Sequence, residues 1–119
     1  MARRKYGNIK TGRNDSIKEV ARGLDLRMLE KVGEIRGLES KPKYILIPTQ
    51  RDAHGKLIER QVTYTADFSY WADDELVVED VKSKQTKRGK KKFSTKTEAY
   101  VLRRKLMLWV HGIRVTEVE

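Results

Sequence analysis

Asp80-Val81-Lys82 closes an apolar stretch at residues 76–81 and opens onto a segment dense in lysine and arginine. In an extended strand, side chains two apart share a face, so Asp80 and Lys82 stand together while Glu79 and Val81 face the other way. Asp67 ends the preceding apolar stretch and meets them if the two strands pair through a short turn at Asp73-Asp74. Two close carboxylates beside an ammonium lose ionisation unless a cation joins them, which is the setting of a Mg2+ site built from oxygen ligands. Such a site can activate water for attack on a phosphodiester, with the lysine positioning that water or offsetting developing negative charge. Glu79, turned away, pairs with a basic residue instead. Spacing alone does not single out this triplet: acid-x-Lys occurs twice in the chain, about as often as its composition gives by chance. The other copy, Glu39-Ser40-Lys41, reads as loop before Pro42 and follows no predicted strand.

The elements that must hold these residues are written as periodicities. Asp15-Ser16 offers an N-cap, and Ile17, Val20, Leu24, Met28 and Val32 recur at three- and four-residue steps, predicting an amphipathic helix that stops at Gly33. Gly37 and Pro42 bracket a loop. Residues 44–47 form a short β-rich run ended by Pro48, and Asp52-Ala53-His54-Gly55 reads as a hairpin turn. The returning strand, about 60–71, alternates Val62, Tyr64, Ala66, Phe68 and Tyr70 against Thr63, Thr65, Asp67 and Ser69. After the third strand at 76–81, a second helix spans about 95–110, with Ala99, Leu102, Leu106 and Trp109 at helical spacing. It stops at His111-Gly112, and residues 113–118 make the last strand. The order is α-β-β-β-α-β in one mixed α/β domain at 15–119, behind a flexible arm at 1–14 that carries five basic side chains and two glycines.

Composition narrows the partners. At 119 residues, 38% hydrophobic and 37% charged, the chain has material for one economical core under a heavily charged surface. With 27 Lys plus Arg against 17 Asp plus Glu, the net charge of +10 favours a polyanion, with nucleic acid ahead of a membrane surface. No apolar run approaches the roughly 20 residues of a membrane span, and the N-terminus lacks a signal-peptide core, so a cytoplasmic protein without a membrane partner is expected. The absence of cysteine excludes disulfides and cysteine-based zinc sites or nucleophiles. His54 and His111 are isolated and read as a turn residue and a helix-end residue; Trp71 and Trp109 read as core or interface. Lys84, Lys87, Arg88, Lys90, Lys91 and Lys92 read as a solvated loop that, beside the acids, neutralises the phosphates of a polyanion, with steeply salt-dependent affinity.

Taken in order, "DSIKE" opening the first helix, "YTADF" ending the second strand and "VVEDVK" ending the third resemble the PD-(D/E)XK nuclease superfamily. Within it they are similar to a small phage-associated group of endonuclease or Holliday junction resolvase-like proteins. The resemblance covers about Asp15 to the C-terminus. It implies a restriction-endonuclease-like αβββαβ core, a central mixed sheet flanked by helices, and Mg2+-dependent hydrolysis of DNA, with Mn2+ as a substitute. By position Asp67 matches the first motif acid, Asp80 the second, Lys82 the motif lysine and Glu19 the acid of the first helix. Glu19, Asp67 and Asp80 are then the metal ligands. Ala66 stands where the pattern has proline, and Glu19 also lies three residues after Ser16, where a capping-box partner belongs. Branched DNA is the implied substrate. Two symmetrical cuts imply a homodimer, joined through the exposed stripe of a helix or a strand edge. Two alternatives stay open: a nuclease acting on linear duplex DNA, and a non-catalytic basic nucleic-acid-binding module whose lysines do all the binding.

Overall fold

The computed structural model describes residues 14–82 and 97–119, with side chains from residue 17 onward in the first segment. The basic arm, apart from Asn14, and the six basic residues from Lys84 to Lys92 lie outside the described residues. In chain order the elements are α1 (Asn14–Lys31), β1 (Arg36–Ser40), β2 (Lys43–Ile47), β3 (Gln50–Arg51), β4 (Leu57–Glu59), β5 (Val62–Thr65), β6 (Phe68–Ala72) and β7 (Glu75–Val81). They are followed by α2 (Glu98–Leu106), which runs into one π-helical turn (Met107–His111), and by β8 (Thr116–Val118).

Local chemistry accounts for the ends of these elements. Gly33 at φ +85° and Gly112 at φ +70° take the left-handed conformation just past the two helices. Asp73 and Asp74, at φ 48° and 70°, turn β6 back into β7 with the double left-handed step that matches strand twist, one that Asp tolerates better than most side chains. Thr97 caps α2 by accepting the Tyr100 N–H at 3.0 Å. In the β3–β4 hairpin, Asp52 accepts the backbone N–H of His54 at 2.9 Å, so the expected turn is present.

Four strands form a mixed sheet in the order β1-β6-β7-β8, with β1/β6 and β6/β7 antiparallel and β7/β8 parallel. The two helices cover opposite faces. Leu26 of α1 packs with Ile35, Phe68, Tyr70, Val77 and Val81, whereas Met107, at the end of α2, packs with Leu46, Tyr64, Ala66, Val78 and Val115. Adjacent residues Val77 and Val78 thus enter different cores, as strand alternation requires. Each fully buried side chain of this size contributes roughly 1.5–3 kcal/mol. A second ladder joins β2 to β5 and a third joins β3 to β4. Among the described residues, no helix is long and apolar enough to cross a membrane.

Several expectations change. The segment 36–40, read as loop, is β1 and belongs to the main sheet, while the predicted first strand at 44–47 pairs with β5 instead. Gly37, at φ +66°, lets the bulged β1 run beside Trp71, whose Cδ1 lies 3.2 Å from where a Cβ would be. The returning strand is broken between Thr65 and Phe68: Ala66 donates to the Pro42 carbonyl and Asp67 to the Glu79 carbonyl, each at 3.0 Å. Two neighbouring N–H groups therefore serve two different sheets. Helix α1 begins at Asn14, so Asp15 and Ser16 lie within its first turn rather than before it.

The most consequential change concerns helix faces. The α1 stripe points outward, from Leu24 at 58% to Val32 at 65% exposed, and on the second helix Leu102 and Trp109 are 58% and 82% exposed. Trp109 is therefore not a core residue. Instead α1 turns Glu19, Arg22, Gly23 and Leu26 inward, because the missing side chain at Gly23 admits Phe68, whose Cζ would lie 3.1 Å from an added Cβ. Shape, together with the buried partner awaiting Arg22, outweighs the apolar count of the opposite face.

Candidate functional site

At the broken strand, Asp67 is held from three sides. Its Oδ2 accepts the Val81 N–H at 2.6 Å, its carbonyl accepts the Lys41 N–H at 2.9 Å, and its own N–H bonds to Glu79. The carboxylate is thereby fixed beside the end of β7, where Asp80 and Lys82 project. On that strand Asp80 faces the α2 side: its Oδ2 accepts the Tyr64 hydroxyl at 2.6 Å and its Oδ1 lies 3.2 Å from the Lys82 ammonium. Lys82 Nζ also sits 3.3 Å from the centre of the Tyr100 ring, a cation–π seat that holds it over the α2 side of the site. Backbone anchors close the end of the strand, with Lys82 N–H bonded to Val118 at 2.7 Å and its carbonyl to the Lys18 ammonium at 3.2 Å.

Glu19 approaches from α1. It does so through a residue absent from the sequence-derived set: the Lys41 ammonium lies 2.6 Å from Glu19 Oε2 and 3.3 Å from Asp67 Oδ1, bridging the two acids. Lys41 belongs to Glu39-Ser40-Lys41, the acid-x-Lys copy set aside as loop. It follows β1, and the turn to Pro42 swings it over the site. The spacing itself was the available signal; what hid it was the unrecognised strand before it.

The electrostatics mark Asp67 as the stressed member. Burial first, and then the Asp80 and Glu19 charges, push its carboxyl above the usual range, against the pull of the Val81 N–H and of Lys41. Burial works against the charged Lys41, but the hydrogen bond and charge of Glu19, followed by Asp67, prevail and raise it. Tyr64 and Tyr100 are pushed well above the ordinary phenol by burial, and then by their hydrogen bonds to Asp80 and Glu117, so both act as neutral hydroxyl donors.

The sequence-derived residues thus divide. Asp67 feels the charges of Asp80 and Glu19, and Lys82 joins Asp80 directly. Among the described residues, however, no three carboxylates or imidazoles converge closely enough to enclose a metal as they stand. The donor set suits Mg2+ in kind: two carboxylates, Glu19 and Asp67, already share one cation, and Mg2+ takes one or two carboxylates and keeps waters on its other positions.

Glu79, adjacent to Asp80, has a different environment. It is 1% exposed, receives Arg22 through two bonds at 2.9 and 2.6 Å, and accepts the Tyr70 hydroxyl. The expectation that it pairs with a basic residue is met, and the pair locks α1 onto the sheet. On the far side, Tyr100 and Arg104 share Glu117 at 2.7 and 3.0 Å, fixing α2 against β8.

Residues 3–114 match the model of a family described as "Protein of unknown function (DUF1064)". No curated protein and no solved structure matches the chain.

Proposed function

We propose that this chain, which belongs to the DUF1064 family, is a Mg2+-dependent DNA endonuclease with a restriction-endonuclease-like core, acting by preference on branched DNA such as a Holliday junction. The carrying observation is that Glu19 and Asp67 already share one cation, the Lys41 ammonium, beside the end of β7, with the Asp80 charge acting on Asp67. In this reading Glu19, Asp67 and Asp80 would hold Mg2+, or Mn2+ in its place, and the ion when bound would lower the pKa of water and polarise the phosphodiester. The chain's own groups do the rest. Tyr64 and the Val81 N–H fix the two aspartates in orientation, and Lys82, steadied by Asp80 and the Tyr100 ring, supplies positive charge toward the attacking water and the developing phosphorane charge. The basic segment from Lys84 to Lys92 leaves directly from this point in sequence and supplies phosphate contacts. Order of elements supports the same reading: α1, β1, β6, β7, α2 and β8 give α-β-β-β-α-β through the four-stranded sheet. Symmetrical cutting of a junction calls for a homodimer, and the outward stripe of α1 is the surface suited to it.

One observation favours a second reading, a non-catalytic nucleic-acid-binding module: each candidate acid already has a partner within the protein. The experiment that separates them uses end-labelled four-way junction and matched linear duplex, with Mg2+ and with EDTA, and the Asp80→Asn and Lys82→Ala variants. Paired symmetrical nicks in the junction, lost in EDTA, in Asp80→Asn and by about a hundredfold or more in Lys82→Ala, are expected. Cutting of linear duplex alone would move the substrate to ordinary DNA; binding that ignores metal and never cuts would make the chain a binding module.

A further inference from the structure

Lys41 is built into the site at a conformational cost. It adopts φ 58°, the left-handed region that glycine normally fills, and it does so immediately before Pro42, where backbone freedom is narrowed further. Such a conformation persists only where the surroundings over-determine it. Here they do: the Lys41 N–H is tied to the Asp67 carbonyl at 2.9 Å and the next carbonyl, that of Pro42, receives the Ala66 N–H at 3.0 Å. The turn is thus clamped to the residues that flank the break in the strand. A lysine held where glycine would be easier points to a use for its side chain, and that side chain ends between Glu19 and Asp67, at 2.6 and 3.3 Å.

We propose that Lys41 is an internal counter-ion that occupies the cation position between Glu19 and Asp67 and is displaced when a divalent metal enters, so that metal binding and release of this ammonium are one coupled event. The inference rests on the metal-site reading above. Its physical basis is competition: two acids that share an ammonium at contact distance cannot present the same lone pairs to Mg2+ until that ammonium leaves. Lys41 is suited to leaving. Its side chain is 55% exposed, against 24% for Glu19 and 17% for Asp67, so its flexible stem can carry the charge out to water while the acids stay fixed. Lys82 has no such freedom, being 13% exposed and seated on Tyr100. The two lysines of the two acid-x-Lys copies therefore divide the work, one fixed beside Asp80 and one exchanging with the metal. Lys41 is a positioning residue in this account, acting through the acids it neutralises.

The test is calorimetric titration of the full chain with Mn2+ alone and with Mg2+ alone, in the absence of DNA. It compares wild type, Lys41→Met, Lys41→Gly, Lys41→Arg and Asp67→Asn, with thermal melting in EDTA and in Mn2+ as a second readout. Lys41→Met keeps the stem and drops the charge; Lys41→Gly drops both and relieves the turn, which covers the case in which the methionine variant fails to fold. Metal affinity is expected to tighten by about five- to tenfold in Lys41→Met and Lys41→Gly, the lower part of the usual range for one coupled site, and to stay near wild type in Lys41→Arg. The Mn2+-induced rise in Tm should grow in parallel. Unchanged or weaker metal binding in both neutral variants, with wild type binding and Asp67→Asn not, would overturn the counter-ion role while leaving the metal site standing. Absence of binding in every protein would remove the metal site and this inference with it.

Discussion

Glu79 and Asp80 are neighbours on one strand, and each accepts a tyrosine hydroxyl and faces a cation, yet they serve different ends. On the α1 face, Glu79 is 1% exposed and its two oxygens are taken by Arg22 and Tyr70. That pushes the Arg22 guanidinium further up, through the Glu79 hydrogen bond above all, while burial and then Glu79 hold the Tyr70 hydroxyl at about 12. On the opposite face, Asp80 has one tyrosine bond and a lysine at 3.2 Å, and with 15% of its side chain exposed it stands beside Asp67 and, through it, Glu19. A carboxylate whose charge is matched and sealed is a rivet; carboxylates gathered around fewer cations at a solvent edge retain affinity for another one.

On the proposed nuclease reading, the sharpest break in this comparison is expected from Asp67→Asn and Asp80→Asn, which should each reduce the proposed metal-dependent DNA cleavage by about a thousandfold, well beyond the effect of losing an outer partner of a metal ligand. Circular dichroism should show the fold retained. Glu79→Ala should do the converse, lowering stability by about 3 kcal/mol in urea unfolding because it strands Arg22 and empties a packed site. Replacing both partners, Arg22→Met with Glu79→Met, should recover most of that loss; failure to recover would mean the pair does more than fasten α1.

A finer comparison deletes the same atom on both faces. Tyr64→Phe and Tyr70→Phe should each cost about 1 kcal/mol in stability. Only Tyr64→Phe, by freeing Asp80, should also lower the proposed cleavage, by about tenfold. Equal activity in the two variants would remove the distinction drawn here between the faces.

The smallest effect is a matter of sign. Asp67 is held above the ordinary carboxylate range by burial, and then by Asp80 and Glu19. Between the unfolded-chain pKa and that raised folded value, the native state binds the extra proton, so its stability increases as pH falls through this window and decreases as pH rises. Asp67→Asn should flatten that slope in EDTA and give a slightly higher Tm at neutral pH. A slope equal to that of wild type would show that Asp67 is not the strained group.

Much of this was legible locally. The Asp73-Asp74 turn, the strand into Val81, the opposition of Glu79 to Asp80 and the stops at Gly33 and Gly112 all follow from a two-residue alternation or from a left-handed backbone at one position, which neighbours alone determine. The helix faces were not, because periodicity reports that a stripe exists and says nothing of which side meets the sheet. Leu26 and Gly23 gained the interior through Phe68, a residue some 40 positions away.

What the sequence by itself determined, then, is the order of the elements around β7 and the residue types gathered there: Asp67, Asp80 and Glu19 as carboxylates able to face a cation, and Lys82 as the ammonium beside them. Only the tertiary structure decided that the strand breaks at Ala66-Asp67, that Arg36–Ser40 joins the sheet, and that Lys41 lands between Glu19 and Asp67. The reason is the range of the forces concerned. Turn geometry and alternation are set within a few residues, whereas strand pairing and a shared counter-ion require segments from 19 to 82 to meet, and that meeting is chosen by packing and buried polar partners across the whole domain.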